Sequence, residues 1–158
     1  PVRDEITWST LLSAYAQFGE SCSAFIIFSN MLVEGIKPSV TTFTSLLTVC
    51  SHTGLISMGQ ICFKSMNKDH NIGPTIEHYT CTIDLLGRAG QLEVALAMMN
   101  MLQFDPDIFM WQTLLSACQR WGNADLGRQA FDHALGLNEC NAAVYVHISN
   151  VFVDSEMG

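Results

Sequence analysis

Positive charge is scarce in this sequence. Seven lysines and arginines stand against fifteen aspartates and glutamates in 158 residues, a formal charge of −8. So few cations argue against a protein that holds polyanions by charge alone, because nonspecific nucleic-acid affinity comes from displacing counterions with Lys and Arg. Charge of either sign reaches only 14%, against 49% apolar residues. That excludes a disordered chain and leaves ample material for a core. Long hydrophobic runs are missing too, since Gly, Ser and Thr interrupt the greasiest stretches. No segment should span a bilayer, and no membrane partner is expected. The chain has no initiator Met and stops at Gly158 inside a helical pattern. It reads as a piece of a longer protein, with any targeting peptide outside it.

Metal and catalytic signatures are also lacking. None of the six cysteines (Cys22, Cys50, Cys62, Cys81, Cys118, Cys140) forms a C-x-x-C pair, whereas zinc ribbons and fingers need closely spaced ligand pairs. Each cysteine falls within a helical pattern, so disulfides fit poorly and buried free thiols in a reducing compartment are expected. The histidines are scattered, and His78, beside Glu77 and Cys81, reads as a surface helical residue rather than a ligand. Asp4 and Glu5 are adjacent carboxylates, but adjacent helical positions do not face each other. There is no nucleophile elbow and no phosphate-cradling Gly loop. The Met-rich stretch at 97–102 reads as core filler. No catalysis, metal or cofactor is expected.

What is present is a repeat. Trp8, Phe43, Tyr79, Trp111 and Tyr145 are spaced by 35, 36, 32 and 34 residues. Gly19, Gly54, Gly90 and Gly122 share the first three offsets, as do Ala24, Gly59, Ala95 and Gly127, and Phe28, Phe63, Met99 and Phe131. Pro38, Pro74 and Pro106 follow at 36 and 32. Five position classes with one set of offsets mark a repeat architecture. Each aromatic opens an apolar run with spacing 3, 4 and 7, as in Trp8, Leu11, Leu12 and Tyr15, which is one helical face. The Gly some eleven residues on suits a left-handed C-cap. A second helix follows, whose small residue permits close approach, and Pro ends the unit. The pattern predicts helices at 5–17, 20–33, 41–52, 55–69, 76–88, 91–102, 109–120, 123–136 and 142–153, and no strands. One helix pair cannot bury its own face, so the pairs must stack. The expected fold is all-α, a right-handed α-solenoid of helix-turn-helix repeats. Uncovered ends on a lightly charged chain also predict self-association.

The residues carry a family resemblance. Residues 5–39, EITWSTLLSAYAQFGESCSAFIIFSNMLVEGIKPS, resemble a 35-residue P-type pentatricopeptide repeat ending in G-x-K-P. Residues 40–75, with CSHTGLISMGQ and GPT, resemble the L-type unit, and 76–107, with EHYTCTIDLLGRAGQLEVA, the S-type unit of the plant PLS subfamily. Residues 108–141, with MWQTLLSACQRWGNADLGRQA, resemble the E1 motif, and 142–158, with NAAVYVHISNVF, the start of E2, while 1–4 would end a preceding repeat. The resemblance implies a site-recognition factor for cytidine-to-uridine RNA editing in a mitochondrion or chloroplast. Its partners would be single-stranded organellar RNA and editing accessory proteins or a deaminase domain. Deamination itself needs a zinc-bound water and a Glu, marked by H-x-E and C-x-x-C, and this sequence has neither.

In that family the fifth and last residues of a repeat read a base, and the second residue flanks it. Carried over, the reading pairs are Ser9 with Ser39, Thr44 with Thr75, and Thr80 with Asp107; the flanking residues are Ile6, Thr41 and Glu77. Hydroxyls can donate or accept, and an Asp can accept from a Watson–Crick edge, so Thr80 with Asp107 should favour guanine. Ser39 departs from the usual amide or acid. Glu77 would repel phosphate. Helical Ser and Thr also bond to nearby carbonyls without any ligand, and Asp107 after Pro106 equally suits an N-cap. Docking of accessory proteins by the L and E segments is the alternative function.

Overall fold

The computed structural model describes residues 4–137 together with 150 and 153. Among these, α1 spans Glu5–Gln17, α2 Ser21–Val33, α3 Val40–Thr53, α4 Ile56–His70, α5 Ile76–Arg88, α6 Leu92–Asn100, α7 Ile108–Trp121 and α8 Ala124–Gly136. The described residues contain no strand. Each helix matches its expected span to within one or two residues at either end. The ninth expected helix, with Tyr145 and Cys140, lies outside the described residues apart from 150 and 153.

Helix ends are set by local chemistry. Asp4 caps α1, its carboxylate accepting from Thr7 N at 2.9 Å and Thr7 Oγ1 at 2.8 Å. The backbone and hydroxyl of Thr7 hold the Asp4 carboxyl below its ordinary value. Ser39 caps α3 in a reciprocal box with Thr42. Gly54 and Gly122 take φ of 70° and 65° as left-handed C-caps of α3 and α7. There the chain reverses into the second helix of each pair.

The chain divides into two compact units, residues 1–85 and 86–158. In the first, α1 packs on α2 and α3, and α3 on α4. Leu12, Phe43, Leu46, Leu47, Cys62 and Met66 form the core, with Phe28 and Phe63 packed against it. Phe28 meets Phe43 edge-on with ring centroids 5.8 Å apart, and Phe63 meets Tyr79 at 5.2 Å. Gly59 shows why a small residue recurs here. A β carbon on it would come within 2.2 Å of the Leu85 side chain and 3.3 Å of Cys50 Cβ.

The second unit holds the end of α5 with α6, α7 and α8. A β carbon on Gly87 would lie 2.7 Å from that of Ala117. The Trp121 indole donates to the Gly87 carbonyl at 2.8 Å and covers Gly90. Trp111 stacks on His133, centroids 4.4 Å apart and planes 2° from parallel. Both glycines of the GRAG sequence therefore serve close contact with α7.

The described cysteines are free thiols, as expected, but not all are buried. Cys22 is exposed on α2 and Cys81 is half-buried, whereas Cys50, Cys62 and Cys118 are buried. Cys22 sits on the first turn of a helix whose buried stripe is only Ala24 and Met31, so the helical pattern alone did not assign it a side. Burial pushes the Cys118 thiol up to about 12, and a hydrogen bond with Cys62, together with burial, raises Cys50. Thiolates are the reactive species. Among the described cysteines, brief alkylation of the native chain should therefore label Cys22 first, with Cys50, Cys62 and Cys118 labelled only after denaturation. Peptide mapping by mass spectrometry checks this; native labelling of Cys50 or Cys118 at the rate of Cys22 would contradict the packing.

Candidate nucleic-acid interface

The first helices of the first unit stand side by side and are joined by hydroxyls. Ser13 Oγ lies 2.7 Å from Ser45 Oγ, and Ser9 Oγ lies 3.1 Å from Thr42 Oγ1. Thr48 Oγ1 contacts Cys81 Sγ at 3.5 Å, and the Ser51 hydroxyl donates to Asp84. Each pair is separated by 32 or 33 residues, two or three fewer than the repeat offset of 35 or 36, so each joins successive repeats. The row α1, α3 and the first-unit part of α5 is thus registered by polar contacts as well as by the core beneath it.

The expected reading residues sit on this row, though not as free side chains. Ser9 and Ser39 come together: both hydroxyls donate to Glu5 Oε1 at 2.5 Å. Thr42 Oγ1 completes the group, 3.0 Å from Ser39 N and 3.3 Å from Ser39 Oγ. Ser9 is only 5% exposed. The flanking residues do face outward, Ile6 being 70% exposed and Thr41 exposed. Ile6, Thr41, Ser9 and Glu5, with Ser13 and Gln17, line one open cleft of ≈ 430 Å³.

Thr44 and Thr75 are brought to opposite edges of one imidazole. His78 Nε2 lies 3.2 Å from Thr44 Oγ1 and 2.9 Å from the Val40 carbonyl. His78 Nδ1 accepts from Thr75 N at 2.9 Å and lies 3.0 Å from Thr75 Oγ1. Since the Thr75 N–H points at Nδ1, the ring proton belongs on Nε2. His78 is therefore not a surface residue: it is completely buried. The correction has a physical cause. His78, Thr82, Leu85 and Leu86 form the buried stripe of α5 at helical spacing, and a histidine can join it because both its nitrogens find partners. Thr42 and His78, 36 residues apart, occupy the same place in successive repeats and make the same pair of contacts.

The remaining expected residues make contacts close by in sequence. Thr80, half-buried on α5, donates to the Ile76 carbonyl at 2.8 Å, which leaves its lone pairs to accept. Asp107 caps α7 through its Oδ1, 2.9 Å from Met110 N. The capping role foreseen for it is thus realised, and a carboxylate has a second oxygen to offer. Glu77 is exposed and accepts from Thr75 Oγ1 at 2.8 Å, which holds its carboxyl below the usual value. Asp4 and Glu5 do point different ways, one to the helix end and one to the cleft. The described residues contain no cluster able to hold a metal ion.

Two residues of this surface, Glu5 and Thr42, were given no place in it by the sequence. Glu5 lies four residues before Ser9, one helical turn away, and that spacing was the available signal.

Comparison with known proteins finds repeat-family matches over residues 3–104. The PPR repeat family matches residues 3–52, the pentatricopeptide repeat domain 34–89, and the PPR repeat 77–104. A pentatricopeptide repeat-containing protein of Arabidopsis thaliana is 39% identical over 98% of this chain and 19% of its own length. A mitochondrial one from the same plant is 41% identical over 98% of this chain and 24% of its own length. Others carry chloroplastic in their names. The chain spans about a fifth to a quarter of the length of these relatives. The crystal structure of the maize pentatricopeptide repeat protein PPR10 in complex with an 18-nt psaJ RNA element shares the fold, with a TM-score of 0.89 at 21% identity over 96% of this chain and 23% of that one.

Removing the bridging ring should register in stability. His78→Leu deprives the Thr75 N–H of its acceptor, and an unsatisfied group of this kind costs about 1–3 kcal/mol. Urea unfolding should show that loss as a lower midpoint at an unchanged slope; an unchanged midpoint would mean that the ring is not what holds Thr44 and Thr75.

Proposed function

We propose, from the premise that residues 3–104 of this chain are pentatricopeptide repeats, that it recognises single-stranded RNA base by base along the α1, α3 and α5 row. The observation that carries this is the cleft in which Ile6 and Thr41, one repeat apart, stand beside Ser9. An apolar side chain and a hydroxyl at that separation suit a base held by its faces, while the groups behind it meet its edge. Net charge of −8 fits recognition through bases better than through phosphates.

The finer reading is a plant organellar editing factor, with 5–39, 40–75 and 76–107 as P, L and S units and 108–141 and 142–158 as E1 and the start of E2. Relatives named mitochondrial or chloroplastic support an organellar setting. In this reading the chain selects the site, and a deaminase on a partner or in the parent protein supplies the zinc chemistry. Thr80 with Asp107 reads guanine. A second reading, docking of accessory proteins by the L and E segments, is favoured by large apolar side chains left exposed there, Ile61 and Phe109.

Asp107→Asn tests the RNA reading without disturbing the helix end, because Asn caps as well as Asp. In fluorescence anisotropy at fixed low salt, the native chain should prefer RNAs with guanine at one position. Asp107→Asn should lose that preference while keeping its thermal midpoint. Equal binding of all sequences by the native chain would leave protein docking as the function.

A further inference from the structure

Ser39 is a poor base reader by itself, yet the cleft beside it is well formed. The chemistry behind that cleft is supplied by a residue of another class. Glu5 projects from the first turn of α1 and lines the cleft with Ile6, Ser9 and Thr41. Its Oε1 accepts from both Ser9 Oγ and Ser39 Oγ at 2.5 Å. The two hydroxyls that would otherwise meet a base thus spend their only protons on one carboxylate oxygen. From Ser9 a ligand in the cleft therefore meets lone pairs alone, and from Glu5 it meets an anionic oxygen.

We infer that Glu5 is the specificity-determining residue of this cleft and that it selects a base whose edge presents donors, guanine before all others. Guanine offers two adjacent donors, N1–H and the N2 amino group. Cytosine and adenine offer one amino group beside an acceptor, and uracil a single N–H between two carbonyls that a carboxylate repels. Ser9 and Ser39 act as positioning residues: two short bonds from different helices fix the carboxylate, so little side-chain freedom is lost when a base arrives. The cleft has no place for a phosphate, because the same carboxylate would repel it. This assignment rests on the RNA reading above but concerns a different position of the RNA from the one met by Thr80 and Asp107.

The experiment is an anisotropy titration of the 158-residue chain with short RNAs in which one position at a time carries each of the four bases. A charge-assisted hydrogen bond is worth enough to give about a tenfold preference for guanine over uracil. That preference should collapse in Glu5→Gln, which keeps shape and hydrogen bonds but not the charge. It should weaken without vanishing in Ser39→Gly, which removes one of the two bonds that fix the carboxylate and leaves the one from Ser9, at a cost to the α3 cap of only a few tenths of a kcal/mol. The preference sensitive to Asp107→Asn should stay intact in both. The assignment is overturned if the guanine preference persists in Glu5→Gln, or disappears in Ser39→Gly, which would return readout to the last residue of the repeat. If Asp107-dependent selectivity is present but no position responds to Glu5, this inference alone fails. If the native chain shows no base preference anywhere, it fails together with the RNA reading.

Discussion

Everything in the first unit depends on helices one repeat apart being able to lie directly against each other. Small polar side chains make that possible. Ser13 meets Ser45, Ser9 meets Thr42 and Ser51 meets Asp84, each between successive repeats. A hydroxyl is short, so the helices stay close, and it is directional, so they stay in register. Large apolar groups are kept to the other face, where Leu12, Phe43, Leu46 and Leu47 are buried beneath the row. The hydroxyl contacts contribute modest net stability, roughly 0.5–1.5 kcal/mol each. Their greater effect is on specificity of packing, since sliding one helix past the next would leave several buried polar groups unpaired.

The same contacts give the outer surface its chemistry. In successive repeats the residue three places into a first helix, Thr42 and then His78, reaches back to a pair of residues expected at the fifth and last places of the preceding repeat, Ser9 and Ser39 and then Thr44 and Thr75. Whatever stands there decides whether those residues keep protons to give away. Thr44 and Thr75 are tied to an imidazole whose nitrogens are both occupied. Ser9 and Ser39 are tied to a carboxylate that still has an oxygen to offer. Two pairs of similar composition therefore present different surfaces.

This division marks where sequence reasoning succeeded and where it stopped. Helix spans were legible because the aromatic, Gly, small-residue and Pro positions share one set of offsets, and each has a local physical meaning. Gly54 and Gly122 as left-handed caps could be read directly. The burial of His78 could not, because a polar residue is sorted to the surface unless its partners are known, and those partners lie on another helix and in the preceding loop. Glu5 was passed over for a similar reason. Its nearest carboxylate in sequence, Asp4, is a helix cap, while its real partners are Ser9 one turn on and Ser39 a whole repeat away. Exposed Cys22 was missed because α2 is apolar on nearly every side, so its pattern does not distinguish inside from outside.

The Ser39 side chain belongs to two structures at once: it caps α3 and it holds the carboxylate of α1. Cutting the chain between Ser39 and Val40 to shuffle repeats would therefore carry away the start of one helix with the body of another. The natural module for recombination is offset by half a repeat, with its seam on the second helix of each pair. A chimera joined within α2 and again within α4 would keep Ser39, Thr42 and the whole of α3 as one inherited block. Glu5 with Ser39 and Ser9 with Thr42 would then be the pairs that the neighbouring repeat has to match.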